Sequence, residues 1–224
     1  MAYYINLEKI SLGSYKEVLK HADLVPSRML LKENTDSHFN ALDNAGIQNL
    51  EELVSTTKTK KKLLAFASEN NINTNYLTIL VREIKSLRPK PTNIQDFPSI
   101  DSDTVQKLRQ IGIKNTLHIY DRILTSQSRY NLSKESGVDE NIIIKLGCLA
   151  DLTRIRWVNH TFSYMLYEIN YTTAKQVANT DYHKLHELIK ILNNNRNFYK
   201  GTIGLHDFQL IVECAQDLDF DIDF

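Results

Sequence analysis

A short apolar-glycine-apolar run occurs twice at a fixed distance in this chain. Ala45-Gly46-Ile47-Gln48-Asn49 returns as Ile111-Gly112-Ile113-Lys114-Asn115, with position 112 against 46, an offset of 66. The offset holds without a gap from Phe39 and Val105 through Leu80 and Leu146, and sets Leu42 on Leu108, Asn49 on Asn115 and Ile72 on Val138. A weaker third copy is Ile169-Asn170-Tyr171-Thr172-Thr173. Repetition at this period means that one supersecondary unit is built several times, and that neighbouring copies complete each other's cores. Such a chain supplies surfaces, whereas an enzyme needs in addition a converging set of reactive groups.

The unit is helical. Seven glycines and four prolines are few for 224 residues, and apolar residues recur at three and four spacing, which predicts an all-α protein. Gly46, Gly112 and Asn170 follow apolar runs at positions where a left-handed residue closes a helix. Ser14-x-x-Glu17, Asn49-x-x-Glu52 and Thr173-x-x-Gln176 carry the spacing of reciprocal helix caps. Two alternate prolines in Leu87-Arg88-Pro89-Lys90-Pro91 cannot continue a helix, so the sequence divides into an N-terminal domain, 1–88, and a second domain, 92–224. Asn193-Asn194-Asn195-Arg196-Asn197 reads as a loop.

Both ends alternate with period two: Tyr3, Ile5 and Leu7 at the start, and Leu218, Phe220, Ile222 and Phe224 among four aspartates at the finish. At most, these make a small terminal β pairing. The tail also resembles the acidic C-terminal tip of bacterial single-stranded-DNA-binding proteins, which would imply a partner-docking peptide, although it lacks that tip's proline.

Phe97-Pro98-Ser99-Ile100-Asp101, with Val105 and Leu108 in the helix that follows, resembles a helix-hairpin-helix motif. Trp157-Val158-Asn159, with Ser163 and Leu166, repeats the pattern. The resemblance implies a pair of such units over about Ile94 to Val177. More broadly, the stretches from Ala22 to Glu33, Arg154-Ile155-Arg156-Trp157-Val158 and Tyr199-Lys200-Gly201-Thr202-Ile203-Gly204-Leu205 resemble a bacterial family, domain of unknown function 4332. That resemblance implies tandem helix-hairpin-helix-like units and brings no activity with it.

Hairpin glycines let a phosphate approach backbone amides at a helix start, where the helix dipole favours an anion. Ser99 and Asp101 replace them in the second copy, and Asp101 with Asp103 should repel phosphate. In the third copy Asn159 is neutral, and Arg154, Arg156, His160 and Thr161 add donors. Trp157 between two arginines suits stacking on a base or taking a cation over its face, which fits single strands better than duplex; otherwise it is core, with the arginines paired to Asp151 or Glu168. Lys60, Lys61 and Lys62 form the densest basic cluster, at a helix start, and Lys200 is a further basic candidate.

The 27 basic and 27 acidic residues cancel, so no long-range field recruits nucleic acid, and any such binding must be local. Cys148 and Cys214 read as free thiols in a reducing compartment, and no apolar run reaches the roughly 20 residues of a membrane span, which together predict a cytoplasmic protein with no membrane partner. His183-x-x-His186 has metal spacing but lacks a third ligand. No nucleophile-base pair, phosphate loop or small-molecule substrate site is visible, so neither an enzyme nor a cofactor is expected. The sequence predicts a non-enzymatic protein that binds a DNA or RNA backbone without sequence preference through a degenerate helix-hairpin-helix domain, with the third hairpin and the basic clusters as its contacts; the alternative is a scaffold or adaptor for a protein partner.

Overall fold

The structure is a computed structural model that describes Tyr3–Asp223. It is all-helical, and among the described residues the only β contacts are two isolated antiparallel bridges, Ser11 with Asn49 and Asn93 with Asn115. The chain separates into two compact units: Asn6–Arg88, and Pro89 onward joined by the chain start up to Ile5.

In the first unit, α1 (Leu12–His21) and a 3-10 segment, Pro26–Lys32, precede α2 (Thr35–Asn44), α3 (Leu50–Thr56), α4 (Lys60–Glu69) and α5 (Thr74–Ser86). Leu19, Leu31, Leu42, Leu50, Leu53, Leu77, Leu80 and Ile84 are sealed from water and form its core. Arg28 donates from Nε to Glu83 at 2.8 Å, an ion pair buried on both sides. The cap of α1 is Ser11, whose oxygen accepts from Ser14 N–H, and not Ser14 as its spacing to Glu17 predicts. Starting three residues earlier puts Leu12, Tyr15 and Leu19 on the buried face.

The second unit runs through α6 (Ser102–Gln110), α7 (Thr116–Tyr120), α8 (Ser126–Ser136), α9 (Glu140–Leu152), α10 (His160–Glu168), α11 (Ala174–Ala178), α12 (Tyr182–Arg196) and α13 (Leu205–Gln216). The same four-helix order therefore occurs three times: α2 to α5, α6 to α9 and α10 to α13. In each module the second and third helices pack on the fourth.

Each module's first helix ends on a left-handed residue, Gly46 (φ 83°), Gly112 (φ 84°) or Asn170 (φ 65°). The next residue's N–H then reaches back into the last turn: Ile47 to Leu42 O at 3.2 Å, Ile113 to Leu108 O at 2.9 Å and Tyr171 to Leu166 O at 2.9 Å. This closure satisfies carbonyls that the helix end leaves unpaired. A second left-handed residue, Asn71, Gly137 or Asn197, ends each third helix. The third copy is thus a whole module, longer than the Gly/Asn turn through which the sequence betrays it.

Two sequence expectations are corrected. Asn193–Arg196 is not loop but the last turn of α12, and only Asn197 leaves the helix. The Asn193 side chain holds the returning chain there, donating to Tyr199 O at 3.1 Å and accepting from Tyr199 N–H at 2.9 Å. Among the described residues the chain ends do not pair as strands. Arg154 donates from Nε to Tyr3 O at 3.1 Å and from Nη2 to Asp219 O at 2.8 Å, so a buried guanidinium gathers both ends.

Tyr3 belongs with the second unit for a packing reason: its ring meets Tyr120 edge-on at 5.3 Å and its hydroxyl lies 2.6 Å from Thr116 Oγ1. The sequence boundary that gives residues 1–88 to one domain misses this. Nor is the tail a free docking peptide over its described length. Leu218 is buried in the core of α10 to α13, Ile222 packs beside that of α6 to α9, and Asp223 N–H donates to Leu124 O at 2.9 Å. Phe224, which would carry the tip's carboxylate, lies outside the described residues.

Candidate nucleic-acid interface

The turn between α9 and α10 is fixed by its apolar residues. Ile155 and Val158 are buried, and Val158 N–H donates to Ile155 O at 3.1 Å, closing a four-residue turn whose third position is Trp157. Trp157 has φ 75° and remains 49% exposed. A positive φ suits glycine at this turn position, and for a residue with a Cβ it costs roughly 1–2 kcal/mol. Here the chain places its only tryptophan, against both backbone strain and the preference of indole for burial. Strained backbone of this kind clusters at functional sites, which makes Trp157 a candidate.

The Arg156 guanidinium carbon lies 4.4 Å from the centre of the Trp157 ring, a stacked cation–π pair. Asn159 caps α10: its Oδ1 accepts from Phe162 N–H at 2.9 Å and also from the Tyr199 hydroxyl at 2.8 Å. Tyr199 thereby ties the α12–α13 loop to the turn, and Lys200, next in the chain, is exposed. Burial pushes the Tyr199 phenol above its ordinary value, against the pull of Asn159, so at neutral pH it stays a donor. His160 and Thr161 occupy the first turn of α10 and are half-buried. Burial raises the Asp217 carboxyl above the usual carboxylate range, opposed by the charge of Arg156.

Arg154 is not part of this surface, contrary to the sequence expectation. It is 2% exposed; Nη1 donates to Asp151 Oδ1 at 2.7 Å and the guanidinium lies over the Tyr120 ring at 4.7 Å. Asp151 is itself tied down by Ala174 N–H at 2.8 Å. A cation spent on buried acceptors cannot reach a phosphate. Lys60, Lys61 and Lys62 are exposed in the first turn of α4, with Thr59 as cap, and belong to the other unit. The second turn has the opposite chemistry to the third. Ile100 N–H donates to Phe97 O, and Asp101 caps α6 by accepting from both Thr104 N–H at 2.9 Å and Thr104 Oγ1 at 2.8 Å. Those two bonds hold its carboxyl below the ordinary range, so a negative charge stands at the mouth.

The remaining candidates find packing roles. His183 stacks on Tyr182, while His186 meets the Phe208 ring edge-on at 5.1 Å. Lys145 lies over both Tyr164 and Tyr167 at 5.2 and 5.3 Å. Cys148 is buried, and its thiol is pushed up to about 12 by desolvation, so it is a packing residue without thiolate character. Tyr199 is the position that sequence reasoning passes over. The only signal for it is an aromatic beside Lys200 and two glycines, in a loop whose partner, Asn159, lies far back in the chain.

A family model described as Domain of unknown function (DUF4332) matches residues 98–218. The match begins at the second module's turn and runs through the third module to Leu218. No curated protein and no solved structure matches the chain. No helix among the described residues is long and apolar enough to cross a membrane.

Proposed function

This chain belongs to the domain of unknown function (DUF4332) family, and we propose that it is a non-enzymatic, cytoplasmic nucleic-acid-binding protein whose contact point is the third module's hairpin. The observation that carries the reading is Trp157, half in water at a positive φ with Arg156 stacked on it. Arg156 and Lys200 supply charge for phosphates. The helix-hairpin-helix resemblance of Trp157-Val158-Asn159 supports the same reading. Asn159 Oδ1 already accepts two hydrogen bonds, so it is not free to accept from a base edge.

The test is a fluorescence-anisotropy titration of the full chain with labelled DNA and RNA oligonucleotides, single- and double-stranded, at low salt. Binding is expected, and with about two phosphate contacts to a single strand the slope of log K against log salt is about −1.4. Absence of binding to every oligonucleotide overturns the reading.

A second reading, a scaffold for a protein partner, draws on the ionised Asp101 cap, which sets a negative charge at the second turn. It expects the exposed indole to anchor a partner side chain in place of a base, and a salt slope near zero.

A further inference from the structure

We infer that the third hairpin takes an unpaired nucleobase on the face of Trp157, so that the ligand is a single strand and an intact duplex is rejected. The inference rests on the proposed function and adds the class of nucleic acid to it. A hairpin that receives a duplex phosphate does so through bare backbone, because the amides must come within hydrogen-bond distance of the phosphate oxygens. Trp157 puts the largest side chain at the corner where glycine would leave that approach open. The buried neighbours Ile155 and Val158 fix the turn on either side, and the indole is left half in water instead of joining them in the core.

What blocks a duplex serves a single strand. A base in a duplex has both faces covered by its stacked neighbours, whereas an unpaired base offers a π-face to an aromatic platform. Arg156, 4.4 Å from the ring centre, covers one face of the indole and adds a positive charge to the platform, so the base takes the opposite face. Tyr199, bonded to Asn159, holds the loop carrying Lys200 beside the same turn. The second module has no counterpart: Ser99 stands at the position of Trp157, and Asp101 at that of Asn159. Of these two turns only the third module's offers a stacking platform, one with little preference among bases.

The experiment uses the full chain with a labelled 12-residue oligothymidine, a 12-residue oligoadenylate RNA, and a duplex of the same length closed by loops at both ends so that no terminal base is free. Stacking one base on an aromatic ring corresponds to about 5- to 150-fold in affinity. The single strands are expected to bind more tightly than the closed duplex by a factor in that range, with quenching of Trp157 emission. Trp157→Phe is expected to keep most of the affinity. Trp157→Gly relieves the positive φ, and is expected to raise the melting temperature while losing about 5- to 150-fold in single-strand affinity. Equal affinity for single strand and closed duplex, or full affinity in Trp157→Gly, overturns the inference and leaves the proposed function standing. Failure of all three probes to bind overturns both.

Discussion

Two arginines separated by a single residue, Arg154 and Arg156, have different fates, and the cause is the helix end between Leu152 and Ile155. Arg154 leaves the last turn of α9 facing inward, where Asp151, Tyr3 O and Asp219 O use three of its nitrogens. Arg156 stays half-buried, with its guanidinium over the Trp157 ring. Removing one partner of a buried ion pair strands the other charge, at a typical cost of about 3–5 kcal/mol. Arg154→Ala is therefore expected to lower unfolding free energy by that order in a urea titration, with Arg154→Lys losing less, because one ammonium replaces the charge but not the three-way fork. At the second turn, Asp101 offers a pH-dependent counterpart. Its folded pKa lies below the ordinary 3.8, so its contribution is present above the unfolded value and is lost as pH falls through the depressed folded one. Asp101→Asn keeps a capping oxygen without the titration. Melting curves between about pH 2 and pH 5 are expected to fall less steeply on the acid side for the variant than for the native chain; parallel slopes would contradict the assignment.

At the scale of elements, the helix-closing residues are legible in the sequence by themselves, and the rest of the module is not. Gly46, Gly112 and Asn170 stand out because left-handed backbone selects glycine and then asparagine, a constraint that a short stretch of chain carries alone. The third module hides its second half. Asn170 and Asn197 are two residues further apart than Gly46 and Asn71 or Gly112 and Gly137, so no single offset aligns all three copies. The alternating ends mislead in a different way: their period of two reflects apolar anchors dropped into helical cores, Leu218 and Ile222, and among the described residues no partner strand uses it. The inward turn of Arg154 is illegible because its acceptors come from opposite ends of the chain. A Cβ added at Gly46 or Gly112 meets nothing within 4 Å, so substitution there isolates backbone strain. Gly112→Ala is expected to cost about 1–2 kcal/mol and Gly112→Asn less, read as shifts in thermal midpoint, while Asn170→Gly is expected to be neutral or mildly stabilising.

On the scale of the whole molecule, the two units make a single unfolding midpoint a poor description, and the placement of one residue lets them be followed separately. Trp157 is the only tryptophan and lies in the unit that begins at Pro89, so its emission reports that unit, while helical circular dichroism reports both. The tail gives the test. Leu218 is 6% exposed within the core of α10 to α13, and the Asp219 carbonyl accepts from Arg154. Cutting the chain after Asp217 removes a buried leucine, worth about 1.5–3 kcal/mol, and leaves a buried guanidinium nitrogen without that acceptor, at about 1–3 kcal/mol more. Set against a total stability of roughly 5–15 kcal/mol, that loss is expected to lower the Trp157 transition by on the order of 10 °C. The part of the dichroism change that belongs to Asn6–Arg88 should stay in place. A cut after Asp219 keeps both the leucine and the carbonyl, and is expected to cost far less than the cut after Asp217. Equal losses from the two cuts would mean that Leu218 and the Arg154 bond are not what binds the tail. A loss shared by both transitions would mean that the units do not unfold independently.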